Sequence, residues 1–481
     1  MIRCVVIVLA LCSADVLSAA DASPQMATGI KIGEVTPHCA IIWTRLTRRP
    51  TPNPSDGPMV KVIYEGRLTD REAIEGRSKA NGVGVEYPPG TTVADLRDAA
   101  PGMAGEVRVL YKPAGAAAWS ETPWTAVDAA SDFTRQFTLD GLKPATEYRL
   151  RIEARGGAAI EGGVHTAPLP EEAARVLFGV TTGQEFGHRD CPEGFKMYPA
   201  LLTLRPDFFV HTGDIVYYDR LAKNIELARY HWQRTYGLPT NREFHRQVAS
   251  YFEKDDHDTL MDDCYPTVKS RYMGEFTFAQ GQAVFLEQAP MGKRTYRTFR
   301  WGKDLQIWLV EGRDFRSANP DPDGPGKTIW GAEQKAWFKK TFQESDATFR
   351  VLISPTPLVG PDRATKNDNH ANAGFTHEGD ELRAFIGGQT RAVVVCGDRH
   401  WQYHSVDPKS GTHEFSCGPA SDRHAGGYSD KARQPQHRYL KVRGGFLTGE
   451  VARRDGKPSL TFRHYSPEGE VQYEYTFSAS K

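Results

Sequence analysis

Five short apolar runs each end in a cluster of polar and charged residues, and this repeated juxtaposition constrains the fold of the chain more than any other feature. "RVLFGV" is followed by "TTGQE", "DFFV" by "HTGD", "LQIWLV" by "EGRDFR", "FRVLIS" by "PTP" and "AVVVC" by "GDRHW". Runs of this length that are apolar throughout predict strands covered on both faces. Helical patterns lie between them, in "LAKNIELARYHWQRTY" and "GAEQKAWFKKTF". An alternation of strands and helices predicts an α/β sheet, and the carboxyl ends of its strands bring side chains from distant segments to one edge. "EKDDHDTLMDD", at the end of "VASYF", joins that edge. Asp214, Tyr217, Asp255, Asp256, His257, Asp258, Asp398 and His400 are therefore expected in one pocket.

Before Arg175 the rhythm differs. "CAIIWTRL", "EVRVLYKP", "FTRQFTL" and "EYRLRIEA" are short β-type segments separated by Gly, Pro and Asp, the pattern of a β-sandwich. Tyr148 enters its strand just after a proline-containing corner, where its hydroxyl can bond back to the corner backbone. The reading gives a β-sandwich over 27–168, with 51–105 as a Gly/Pro-rich insertion, and a second domain over 173–481 that closes with a hairpin. "TAPLPEEAA" is the linker.

The first twenty residues, with a basic start, an apolar run and small residues at Ser18 and Ala20, have the form of a cleaved export signal. The expectation is an exported protein (periplasm, cell surface or extracellular) with no stable membrane insertion. Lys+Arg and Asp+Glu both number 60, so no global charge selects nucleic acid as a partner. Past the leader five cysteines remain, an odd number, and the pairing of Cys396 with Cys417 stays open.

The carboxylate cluster itself implies a cation. Packed together unneutralised, these groups would repel one another and raise their own pKa values, and Lys254 and Arg399 are too few to prevent it. Carboxylate, imidazole and phenolate oxygens and nitrogens suit iron, manganese, zinc or calcium.

G-D-x-x-Y at 213–217, D-D-H-D at 255–258 and G-D-R-H at 397–400 together resemble the calcineurin-like metallophosphatases. In particular they are similar to the alkaline phosphatase D (PhoD-like) family. The resemblance implies a mixed α/β fold, a fibronectin type III-like amino-terminal sandwich followed by a calcineurin-like β-sheet sandwich flanked by helices. It implies Asp214 as a bridging metal ligand, with Tyr217, Asp256, Asp398 and His400 as further ligands. The cofactor it implies is a dinuclear or multinuclear centre of iron(III) and calcium, with manganese or zinc as alternatives. His257 is the expected general acid, and Arg313 is expected to grip a phosphate oxygen or else to serve in an ordinary salt bridge. The expected reaction is hydrolysis of a small-molecule phosphate monoester, with diesters a further substrate class, by water activated between two cations. The alternative is a catalytically weak extracellular binding or adhesion protein that keeps a structural metal site. One position departs from the family pattern: Gly183 stands where the family has a cysteine ligand.

Overall fold

The computed structural model describes residues 23–64 and 82–478. The leader expected over 1–20 and part of the insertion lie outside these residues. All five strand readings of the carboxy-terminal part are strands, but they do not share one sheet. Val176–Thr181, Phe208–Thr212 and Ala249–Glu253 run parallel inside a nine-stranded sheet. Leu305–Leu309, Phe349–Ser354 and Ala392–Cys396 run parallel inside a seven-stranded sheet. The expectation of a single edge is thus corrected to two parallel blocks on facing sheets. Periodicity reports that a strand is buried on both faces, and it carries no information on which sheet the strand joins.

The two sheets are held face to face by large side chains. Phe208 meets Trp301 with ring centroids 4.8 Å apart, Tyr251 meets Phe299 at 4.4 Å and Phe415 meets Phe462 at 4.4 Å. These residues belong to one continuous buried cluster. The outer face of the seven-stranded sheet is covered by the helices Gly331–Glu344 and Thr376–Gly387, through Phe338, Phe342, Leu382 and Ile386. The helix Ile225–Tyr236 starts where Asn224 accepts a hydrogen bond from Leu227 N–H, a side-chain cap that stops it short of the predicted start at Leu221.

The amino-terminal strands do not form a body separate from this core. Ile30–Gly33, Cys39–Arg45 and Thr134–Asp140 extend the nine-stranded sheet, with Gly33 paired to Ser250. Glu106–Pro113, Glu147–Ala154 and Ala159–His165 form a further sheet packed on them. Tyr148 is buried and its hydroxyl accepts the backbone N–H of Lys143 at 2.9 Å, as its place after the corner predicts. The strands Lys457–Tyr465 and Val471–Ser478 make the carboxy-terminal hairpin. Cys39, Cys191, Cys264, Cys396 and Cys417 are all free thiols, so the open pairing of Cys396 with Cys417 is not made. Among the described residues no helix is long and apolar enough to cross a membrane.

Tyr148→Phe removes one partner of the Lys143 N–H bond and leaves the ring in place. We expect a loss of about 1–2 kcal/mol in chemical denaturation, with the far-ultraviolet circular dichroism of the native state unchanged.

Candidate metal centre

The carboxyl ends of the two parallel blocks converge where the sheets approach most closely. Asp398 N–H donates to Thr182 Oγ1 at 3.2 Å, tying the end of one block to the end of the other. Two glycines make this approach available. A Cβ at Gly213 would lie 2.6 Å from the backbone nitrogen of Asp255, and its φ of +102° suits glycine alone. Gly397 packs its bare backbone against Thr212. Asp214 and Asp398 follow these glycines and sit in the left-handed region themselves, at φ of 57° and 60°. Such backbones cost on the order of 1 kcal/mol and persist where surrounding contacts dictate them.

Asp214 is the centre of the cluster. One donor group is Asp214, Asp256 and His257; a second is Asp214, Asp255 and Asp398, and within each group the ligand atoms lie within 4.8 Å of one another. Tyr217 joins from the other side: its hydroxyl donates to Asp214 Oδ2 at 3.0 Å and lies 3.3 Å from His400 Nε2. The structure therefore brings together Asp214, Tyr217, Asp256, His257, Asp398 and His400. Gly183 faces the same place, since a Cβ there would stand 3.3 Å from the Tyr217 hydroxyl and 3.4 Å from His400 Nε2.

Arg313 does not join them at the pocket. Its side chain is fully buried behind the cluster, with Nε donating to Asp255 Oδ1 at 2.5 Å and a terminal nitrogen 3.6 Å from Asp256. The expectation that Arg313 grips a phosphate oxygen gives way to its salt-bridge alternative: the guanidinium is engaged from behind by two carboxylates. Lys254 is likewise committed, to Glu311 and Asp314, each at 2.6 Å. Arg399 is held by Asp362 at 2.8 Å and touches Asp398. Asp258 braces both loops, accepting Asp255 N–H on Oδ1 at 2.6 Å and Ile215 N–H on Oδ2 at 3.1 Å.

Those partners leave negative charge over. Asp214 Oδ1 and Asp255 Oδ2 are buried and accept no hydrogen bond, while Asp398 Oδ2 meets Arg399. Both orphaned acceptors belong to residues of the second donor group. A buried carboxylate oxygen without a donor is costly, and a cation removes the cost. Burial pushes Asp214 up to about 7, with His257 opposing the rise and Asp256 adding to it. Burial, then the nearby His257 and Arg399 charges, pull His400 down to about 3, which keeps its ring neutral and its lone pair available. His257 behaves oppositely. Burial lowers it, but Asp219, Asp256 and Asp214 override that and hold it well above the ordinary imidazole range.

Sequence reasoning passed over two contributors. Asp219, at the end of the same "GDIVYYD" stretch, accepts His257 Nδ1–H at 2.6 Å and so sets the ring's orientation. Asp255 was expected in the pocket but not as a ligand. The cluster opens into a pocket of about 970 Å³ lined on one side by Asp214, Tyr217, His257 and His400. The insertion supplies another wall through Met59, Val60, Val62, Tyr64 and Arg97. That wall is anchored to the helix Ile225–Tyr236, where the Tyr230 hydroxyl donates to Arg97 C=O at 2.9 Å. Arg97, Arg220, Arg363 and Lys366 bring basic side chains to the lining beside the carboxylates.

Residues 178–451 match the family model of the PhoD-like phosphatases. The fold is similar to the solved structure of PhoD, at 14% identity and a TM-score of 0.72, covering 95% of this chain and 91% of that one. It is also similar to the purple acid phosphatase PPD1 from yellow lupin (Lupinus luteus) seeds. There the identity is 11% and the TM-score 0.61, with 95% of this chain and 96% of that one covered. No curated protein matches the sequence.

Arg313→Met separates its two readings. Leaving Asp255 buried without its guanidinium is expected to destabilise the fold by about 3–5 kcal/mol, seen as a lowered denaturation midpoint. A substrate-gripping arginine would instead raise KM with stability unchanged. Asp258→Asn is expected to weaken metal retention about 10–100-fold in a chelator challenge, the usual effect of losing a partner that orients a ligand.

Proposed function

The chain belongs to the PhoD-like phosphatase family, a family of metal-dependent phosphoric ester hydrolases, and from that premise we propose an exported phosphatase acting on small phosphate monoesters, with diesters as further substrates. One observation carries the reading: Asp214 belongs to both donor groups, and both it and Asp255, which shares the second, keep a buried oxygen without a partner. Asp214 would bridge, with Tyr217 and His400 on one side and Asp255, Asp256 and Asp398 on the other. Phenolate and imidazole favour iron(III) for the first position, and the carboxylate-only set favours calcium for the second. Export rests on the leader pattern of residues 1–20.

When bound, the metal ions supply neutralisation of the phosphate oxygens and a lowered pKa for coordinated water. The remaining work belongs to the chain. His257, protonated through its carboxylate neighbours and oriented by Asp219, can donate a proton from Nε2 to the leaving oxygen. Arg363, from the loop 361–368, lines the pocket and would attract an anionic ester there, the role Arg313 is not placed to play. The insertion walls part of the pocket through Met59, Val60, Val62, Tyr64 and Arg97 and would limit the size of the alcohol portion. Gly183 offers no donor to the Tyr217–His400 side, which leaves room there for a water or an additional substrate oxygen.

Asp214→Asn is expected to lower phosphate release more than about 100-fold, beyond the 10–100-fold typical of outer partners, and to release metal in elemental analysis. Full activity with unchanged metal content would remove the bridging assignment. With iron(III) on the Tyr217 phenolate, concentrated protein absorbs visible light and Tyr217→Phe bleaches it. A colourless protein of full activity would exclude that ligand pair.

A further inference from the structure

Beside the centre just described stands a second set of donors. Glu185, His188 and His424 present one carboxylate oxygen and two imidazole nitrogens that lie within 4.8 Å of one another. They come from distant segments. Glu185 and His188 flank the short turn after Val176–Thr181, and His424 lies in the loop that follows His413–Cys417. We propose that this triad binds a divalent transition ion of the zinc class, as a site additional to the Asp214 centre.

The donor set selects the ion. One carboxylate with two imidazoles is the borderline mixture that zinc-class ions take, whereas calcium requires an oxygen cage. Although burial opposes it, the His188 partner holds Glu185 at about 2, so it is anionic.

The local bonding leaves these atoms under-used. His188 Nδ1 is buried and pairs with Glu185 Oε2 alone, at 2.8 Å. His424 Nδ1 receives one long bond, from Glu185 N–H at 3.4 Å, too weak to fix its tautomer. A shared cation would take one ligand atom from each of the two rings and the carboxylate.

The position gives the site a purpose. The His424 ring lies 4.1 Å from His400 and 5.1 Å from Tyr217, centroid to centroid. Glu185 lines the same pocket as Asp214. Three protein ligands would leave a zinc-class ion a coordination position open.

Zinc titration of the full chain, with free zinc set by a competing chelator, tests the site. The parent is expected to bind one zinc equivalent more than His188→Gln or Glu185→Gln, or to bind that equivalent at least about tenfold more tightly. Asp214→Asn is expected to keep this equivalent while losing metal from its own centre, so the two assignments fail separately. Circular dichroism confirms that each variant is folded, and the partly exposed His188 makes its variant the safer of the two. Unchanged zinc stoichiometry and affinity in both folded variants would overturn the proposal. So would loss of every zinc equivalent in folded Asp214→Asn, since the triad would then be no separate site.

Discussion

Negative charge held in a buried place is the constraint around which this molecule is organised. Asp214, Asp255 and Asp256 are withdrawn from water at the meeting point of two sheets, with Asp398 half-buried beside them. The protein answers with positive charge from behind rather than from the pocket side. Arg313 braces Asp255 and Asp256, Arg399 braces Asp362 and Asp398, and Asp258 accepts two backbone N–H groups so that the loops cannot separate. With the backs of the carboxylates occupied, one oxygen each of Asp214 and Asp255 is left without a donor. The arrangement makes the cluster a receptor for cations rather than a folding defect.

The rest of the architecture serves that geometry. Two parallel blocks in separate sheets place strand ends opposite each other, and aromatic contacts such as Phe208 with Trp301 fix the separation of the sheets. Glycines at 213 and 397 permit the last approach. The amino-terminal strands extend the same nine-stranded sheet, and the insertion docks onto the helix Ile225–Tyr236 to wall the pocket. Substrate access and metal binding are thus controlled by segments more than a hundred residues apart in the chain.

Electrostatics divides the two histidines of the site into two roles. His400, beside Arg399 and buried, is kept neutral and can give a lone pair. His257, ringed by Asp214, Asp219 and Asp256, is kept protonated and can give a proton. Neither histidine has this role by virtue of its residue type; the neighbouring charges assign it.

Local order made much of this legible beforehand. Apolar runs ending in "HTGD" and "GDRHW" declare strands whose ends carry carboxylates, and Tyr148 declares its corner, because side-chain period and turn chemistry are set by adjacent residues. The same pattern marked Asp214, Tyr217, Asp256, His257, Asp398 and His400 as neighbours, and the structure brings them together. Other features depend on partners far away in the chain. Arg313 could face the pocket or the rear of the cluster, and only the placement of Asp255 turned it inward. Asp219 became the partner of His257 across 38 residues, and His424 met Glu185 across 239. The division of the strands between two sheets was equally hidden. A sequence determines which segments are strands and which residues end them, because those preferences act over a few bonds. Which of two ion partners an arginine takes, and which sheet a strand joins, is decided by packing and charge among segments that only the completed fold brings together.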